Sequence, residues 1–165
     1  MITPYKLSET VTKNLSERLR DEQNANRFYR YAANCLGNSG YMIAAKYYKA
    51  EAAAEVEHSL GLQDYAVDWN VELDFLELPA IGEIEGIVEI VNTSYGLEYD
   101  LLEAYKKDRK AALDEGDQST FDFLQKYVQI QTESVAEYAT MLNMLQLFKI
   151  DNTNLFLFED KLFEK

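Results

Sequence analysis

The stretch EAAAEVEH, residues 51–58, decides the fold assignment because it places two metal-binding side-chain types one turn apart in a helical sequence. It contains Glu55 and ends in His58, the only histidine among the 165 residues. Residues three positions apart share one face of a helix, so Glu55 and His58 can hold the same metal ion. A carboxylate has two oxygens, so Glu55 can also bridge to a second ion. Carboxylate and imidazole ligands together suit iron or manganese, with zinc also possible.

The composition around this stretch is that of an acidic globular chain. Hydrophobic residues make up 47% of the sequence, and 29 acidic side chains against 16 Lys and Arg give a net charge of −13. Such a surface repels nucleic acid and anionic membranes and attracts cations. One cysteine, Cys35, permits no internal disulfide, and no apolar run approaches the ~18 residues of a membrane span. We therefore expect a cytoplasmic protein that binds neither nucleic acid nor membrane.

Few breakers interrupt the chain, which has only 7 Gly and 2 Pro. They divide it into four long helical segments and a short apolar one, at about 7–36, 41–68, 83–113, 118–148 and 153–163. Short connections make two antiparallel hairpins, with Ser119 as the predicted N-cap of the fourth helix. The linker at 69–82 is longer, and about 14 extended residues reach ~46 Å, the length of such a bundle. The sequence therefore predicts an all-α four-helix bundle in which a long crossover joins parallel second and third helices.

Each long segment carries polar residues near the middle of its apolar stripe. These are Glu22 in the first, Glu55 and His58 in the second, Glu98 in the third and Gln131 in the fourth. Ionised carboxylates in a dry interior cost several kcal/mol each unless compensated, and the stripes offer no basic partner at that level. One polar residue in an apolar stripe would not by itself indicate a metal site. The alternative to a metal site is a hydrogen-bond network with a purely structural role. The agreement of four helices on one level favours a shared metal site.

This combination resembles the ferritin family, in its full-length, bacterial-type non-haem form. The resemblance rests on Glu22 with Tyr29, EVEH at 55–58, Glu98, TFDFLQKYVQIQ at 120–131 and the tail LFLFEDKLF at 155–163. It covers nearly the whole chain. It implies one ferritin-like domain over residues 1–165, with a long crossover between the second and third helices and a short fifth helix.

The resemblance also implies a ferroxidase centre that takes two iron ions per subunit. Glu22, Glu55 and His58 would bind one iron, and Glu55, Glu98 and Gln131 would bind the second. Tyr29, seven residues after Glu22, would stand beside the centre as a hydrogen-bond donor or one-electron source; a plain core aromatic is the alternative. The implied function is oxidation of Fe(II) by O₂ or peroxide and storage of ferric mineral in a homo-oligomeric shell, of twenty-four subunits in the family. A di-iron oxidase or peroxidase without storage is the second hypothesis.

Several residues separate this chain from related families. Bacterioferritin would carry a second Glu-x-x-His on the fourth helix, where this chain has Gln131 and Ser134. It would also carry a haem-binding Met between Glu55 and His58, where this chain has Val56 and Glu57, so no haem is expected. The third iron site of some bacterial ferritins would need carboxylates at positions that here read Ala54, Ile130, Glu133 and Ser134. Animal ferritins line their three-fold channel with acidic residues, and this chain has Phe121 and Leu124 at the corresponding positions. Glu57 is expected to face the cavity and to bind iron leaving the centre, with a solvated surface role as the alternative.

Overall fold

The computed structural model describes residues 1–164, and in this range the chain is helical with no strands. The helices are α1 (Glu9–Asn38), α2 (Met42–Asp68), α3 (Gly86–Asp114), α4 (Gln118–Leu147) and the short α5 (Glu159–Phe163), preceded by a 3-10 turn at Leu155–Leu157. The predicted bundle of four long helices and a short fifth is therefore confirmed. None of these helices has both the length and the hydropathy that crossing a bilayer requires.

The helix ends follow from particular glycines. The first helix was predicted to end near residue 36, but α1 continues through Gly37 to Asn38 and stops before Gly40, whose φ of +91° favours glycine. The third helix was predicted from about residue 83, but α3 begins at Gly86, where φ is +81°. A residue with positive φ is not compatible with the interior of an α-helix, so Gly86 can stand only at its end and fixes where α3 starts.

The N-termini of the helices are capped in different ways. Ser8 caps α1, its hydroxyl accepting from the Val11 amide at 3.1 Å. The cap of α4 is Asp117, which accepts from the Thr120 amide at 2.9 Å; the prediction of Ser119 was wrong, because Ser119 already lies inside the helix. The N-cap residue of α2 makes no side-chain cap hydrogen bond. Instead, the first turn of α2 is capped by the buried carboxylate of Glu159 in α5, which accepts hydrogen bonds from the amides of Ile43 and Ala44, both at 2.9 Å.

Two hairpins form the bundle. α1 packs along α2, α3 packs along α4, and α1 also contacts α3, while α5 lies against α2. The segment between α2 and α3 has no regular structure and lies over α1. There the amide of Asp74 donates to Ser16 Oγ at 2.9 Å, and Arg27 donates to the carbonyl of Pro79 at 3.2 Å. The long crossover between the second and third helices is thus confirmed.

The apolar core is divided into two clusters. One contains the second half of α1, the first half of α2 and the tail, and the other contains the opposite end of the bundle. The residues nearest the division are Ala25, Ala52, Val91 and Tyr138 in the first cluster, and Leu19, Leu62, Leu101 and Tyr127 in the second. On every long helix the residues between these limits include the polar ones identified in the sequence. A polar layer therefore separates the two halves of the core.

Candidate metal centre

The polar layer is formed by side chains from all four long helices. Glu22 of α1 and Gln131 of α4 are 0% exposed, Glu98 of α3 is 1% exposed and Glu55 of α2 is 3% exposed. His58 is half-buried. Carboxylates are almost never so deeply buried without partners, so their surroundings decide what this layer can do.

Three of the predicted ligands come together on the α1–α2 hairpin. Glu22, Glu55 and His58 each offer a ligand atom, and these atoms all lie within 4.8 Å of one another. His58 Nδ1 is 3.1 Å from Glu55 Oε2 and 3.4 Å from Glu22 Oε2. Within residues 1–164 this is the one group of three or more His, Cys, Asp or Glu side chains with that arrangement.

Glu98 and Gln131 lie in the same layer, outside that group of three. The hydroxyl of Tyr29 donates a hydrogen bond to Glu98 Oε1, and Tyr29 itself is 0% exposed. Glu98 Oε2 and both amide atoms of Gln131 are buried without a hydrogen-bond partner. Buried polar atoms without partners are rare in native proteins and call for an explanation, such as a binding site for an ion.

One residue of the site was missed in the sequence. Tyr105 of α3 is 0% exposed, and its hydroxyl donates to Glu22 Oε1. In the sequence this tyrosine lies on the apolar stripe of the third helical segment, where it looks like an ordinary core residue. A signal was present, however, because Tyr105 follows Glu98 by seven residues, as Tyr29 follows Glu22.

The protonation of this layer follows from burial and mutual contacts. Burial tends to lower the pKa of His58, but hydrogen bonds and charges of Glu22 and Glu55 outweigh it and raise the pKa to about 10. Burial and the adjacent carboxylates of Glu22 and Glu98 hold the pKa of Glu55 well above its usual range. For Glu22, burial raises the pKa, but the adjacent side chains of Glu55 and His58, the charge on His58 and the hydrogen bond from Tyr105 together leave this pKa below the ordinary value. Burial and these contacts therefore shift the pKa values of the two carboxyl groups in opposite directions.

Within residues 1–164, Glu98 forms no ion pair. Burial raises its pKa to about 7, with the charges of Glu22 and Glu51 adding to the effect and the bond from Tyr29 opposing it. Among residues 1–164, no Lys or Arg forms an ion pair with Glu22, Glu55 or Glu98. Arg18 is buried nearby on α1, but its guanidinium is paired with Asp21 at 2.9 Å and Asp108 at 3.0 Å.

The donor set fits a transition-metal ion better than a proton network. Carboxylate oxygens, one imidazole nitrogen and an amide oxygen are the ligands that iron and manganese accept. The unpartnered oxygens of Glu98 and Gln131 would gain a partner if a metal ion bound beside them. A cation would also offset the cost of burying ionised carboxylates.

The sequence matches the family model of the ferritin-like domain over residues 12–148. It is 27% identical over 158 residues to a probable bacterial non-heme ferritin-like protein of Haemophilus influenzae, which covers 94% of this chain and 95% of that protein. It is 26% identical over 158 residues to a bacterial non-heme ferritin of Staphylococcus haemolyticus, with 92% and 95% covered.

Solved structures share the architecture. The chain superimposes with a TM-score of 0.88 on a ferritin of the archaeon Archaeoglobus fulgidus, described as a novel open-pore ferritin, over 96% of this chain and 98% of that one. An engineered closed form of the Archaeoglobus fulgidus ferritin gives a TM-score of 0.87 over 97% of this chain and 98% of that one. Both are 19% identical to this chain, so the likeness shows the fold alone.

Proposed function

The chain belongs to the family of ferritin-like domains, and on that premise we propose that it is an iron-storage ferritin that oxidises Fe(II) in its polar layer. One observation carries the proposal. Three glutamates and a glutamine, each at most 3% exposed, occupy one level of the core, and within residues 1–164 the only base paired with any of these glutamates is His58, which contacts Glu22 and Glu55. A stable protein has little reason to bury such a set unless a cation binds there.

The proposed ligands serve two Fe(II) ions, which are substrates of the reaction. Glu22, Glu55 and His58 bind one ion, and their grouping within 4.8 Å supports this part. Glu55, Glu98 and Gln131 bind the second, with Glu55 bridging; the unpartnered oxygens of Glu98 and Gln131 support that part. Tyr29 touches Glu98 and orients it.

The chemistry is a balanced two-electron transfer. Each Fe(II) loses one electron, and O₂ gains two electrons and two protons to leave as hydrogen peroxide. With peroxide as the oxidant, the same two electrons and two protons give two molecules of water. The protein contributes the spacing of the two ions, the exclusion of bulk solvent and negative ligands that favour the ferric product.

Storage requires a shell, and we propose a homo-oligomeric one of twenty-four subunits. The net charge of −13 would draw cations to its surface, and the ferritin names of the relatives support the assignment. We place the protein in the cytoplasm and treat residues 1–165 as one domain. We expect no haem.

A di-iron oxidase or peroxidase without storage is the second candidate. It is favoured by the residues Ala54, Ile130 and Ser134, which carry no carboxylate at the positions of the third iron site of some bacterial ferritins.

Loading the purified protein with Fe(II) in air, followed by gel filtration, separates the two candidates. A storage ferritin elutes far above the 19.0 kDa of one chain and carries many iron atoms per subunit. Oxidation of Fe(II) by a small oligomer that retains about two iron atoms per chain would support the second candidate and overturn storage. An absence of oxidation above the rate in buffer would overturn both.

A further inference from the structure

Two glutamates of the polar layer are bonded by tyrosines in a reciprocal pattern. On α1, Tyr29 follows Glu22 by seven residues, and on α3, Tyr105 follows Glu98 by seven. Each tyrosine donates to the glutamate of the other helix: Tyr29 to Glu98, and Tyr105 to Glu22. The two tyrosines lie in different halves of the apolar core, so the layer is held from both sides.

This pattern divides the oxygens of each glutamate into two kinds. Oε1 of Glu22 and Oε1 of Glu98 accept the tyrosine hydroxyls. Oε2 of Glu22 and Oε2 of Glu98 are buried and accept no hydrogen bond. Oε2 of Glu22 faces the imidazole of His58 at 3.4 Å, where a shared ion would have to lie. Each carboxylate is therefore fixed through one oxygen and offers the other.

Tyr105 also connects Glu22 to His58 through a second tyrosine. Its ring stacks on Tyr127 of α4, with centroids 4.9 Å apart and planes 17° apart. The Tyr127 hydroxyl donates to the backbone carbonyl of His58 at 3.0 Å. Tyr127 approaches α2 this closely because residue 61 is glycine: a Cβ there would lie 2.6 Å from the Tyr127 hydroxyl oxygen.

We infer that Tyr105 is a positioning residue of the metal centre, the counterpart on α3 of Tyr29 on α1. It holds Glu22 through Oε1, so that Oε2 alone is presented to an ion beside His58, and its stack with Tyr127 keeps the backbone of His58 at a fixed distance from Glu22. The inference rests on the proposed function, because it assigns a partner to a ligand of that centre. Hydrogen-bond partners of metal ligands commonly change metal affinity by about 10–100-fold when removed.

Titration of the metal-free protein with Co²⁺ tests the inference, since the visible absorption of Co²⁺ reports its ligands. Tyr105→Phe removes the hydroxyl and keeps the ring stack. We expect the dissociation constant of the ion bound by Glu22 to rise about 10–100-fold, with a changed absorption spectrum. Tyr48→Phe is the matched control: Tyr48 is also 0% exposed, and its hydroxyl bonds the neutral Ser94 at 3.3 Å. Its spectrum and affinity should equal those of the parent.

A second variant acts without altering either tyrosine. Gly61→Ala forces the Tyr127 hydroxyl away from its present position and should weaken Co²⁺ binding in the same direction. If Tyr105→Phe fails to fold, as judged by circular dichroism, Gly61→Ala decides in its place. The inference is overturned if folded Tyr105→Phe protein binds Co²⁺ with the affinity and spectrum of the parent. If Tyr105→Phe does not fold, the same result for Gly61→Ala overturns it.

Glu22→Ala separates this inference from the proposed function. If the parent binds no Co²⁺, or if Glu22→Ala binds it as the parent does, the proposed centre is wrong. If the parent binds Co²⁺, Glu22→Ala loses that ion and Tyr105→Phe matches the parent, the centre stands and only the role of Tyr105 is refuted.

Discussion

Replacing Glu98 by glutamine should stabilise the metal-free protein while impairing iron oxidation. The side chain is 1% exposed, and Oε2 accepts no hydrogen bond. Glutamine has nearly the same shape and keeps an oxygen that can accept from Tyr29, but it carries no charge. The substitution therefore removes the cost of burying a carboxylate together with a proposed iron ligand.

The size of the effect follows from the pKa of Glu98, which burial raises from 4.5 to about 7. A folded-state pKa above the unfolded value means that the folded protein binds the proton more tightly. The ionised form therefore destabilises the fold increasingly as the pH rises from 4.5 through 7. At 1.36 kcal/mol per pKa unit, the cost at pH 8 is about 3 kcal/mol, and at pH 5 it falls below about 1 kcal/mol.

Thermal unfolding of chelator-treated protein, followed by circular dichroism at pH 5 and pH 8, measures this difference. For a chain of this size, about 3 kcal/mol corresponds to a rise in Tm of about 6–12 °C at pH 8. Added Co²⁺ should then stabilise the parent more than the variant, because the ion binds only the folded state. Glu57→Gln, at an exposed carboxylate of α2, is the control and should change neither Tm. An equal or lower Tm for Glu98→Gln at pH 8, or the same gain at both pH values, would refute the reasoning.

Three further substitutions test other parts of the structure. His58→Ala should slow Fe(II) oxidation by more than about tenfold in stopped-flow assays, with helix content unchanged, since alanine is a better helix former; oxidation at the parent rate would contradict the ligand role. Glu159→Ala should lower Tm by about 2–8 °C through loss of the α2 cap without slowing the first oxidation phase; an unchanged Tm would show that the cap contributes nothing. Glu57→Ala should leave the first phase unchanged and slow mineral growth at high iron loading; parent-like growth would count against a cavity role.

The bundle could be predicted from the sequence because its signals are local. Glycines and prolines mark where helices end, and the apolar stripes repeat with helical spacing. The helix limits were less certain, since the conformation of Gly40 and Gly86 decides them and a sequence does not give φ values. The cap of α4 was misassigned for a similar reason: Asp117 and Ser119 are both good capping residues, and the path of the turn selects between them.

The grouping of Glu22, Glu55 and His58 was predictable because each lies mid-helix in an apolar stripe. The ligand roles of all five residues, including Glu98 and Gln131, stay predictions. Contacts that depend on the relative rotation and axial offset of two helices were not predictable from stripes alone. The bond from Tyr105 to Glu22 spans α3 and α1, and the cap that Glu159 provides joins the tail to α2.

The location of bound iron shows whether the polar layer is a metal centre. Crystals soaked in Fe(II) without oxygen, with diffraction recorded at the iron absorption edge, give the ion positions from anomalous scattering. We expect two peaks per chain in the polar layer, one between Glu22, Glu55 and His58 and one between Glu55, Glu98 and Gln131. Peaks confined to other places, with these five side chains in their metal-free contacts, would contradict this expectation.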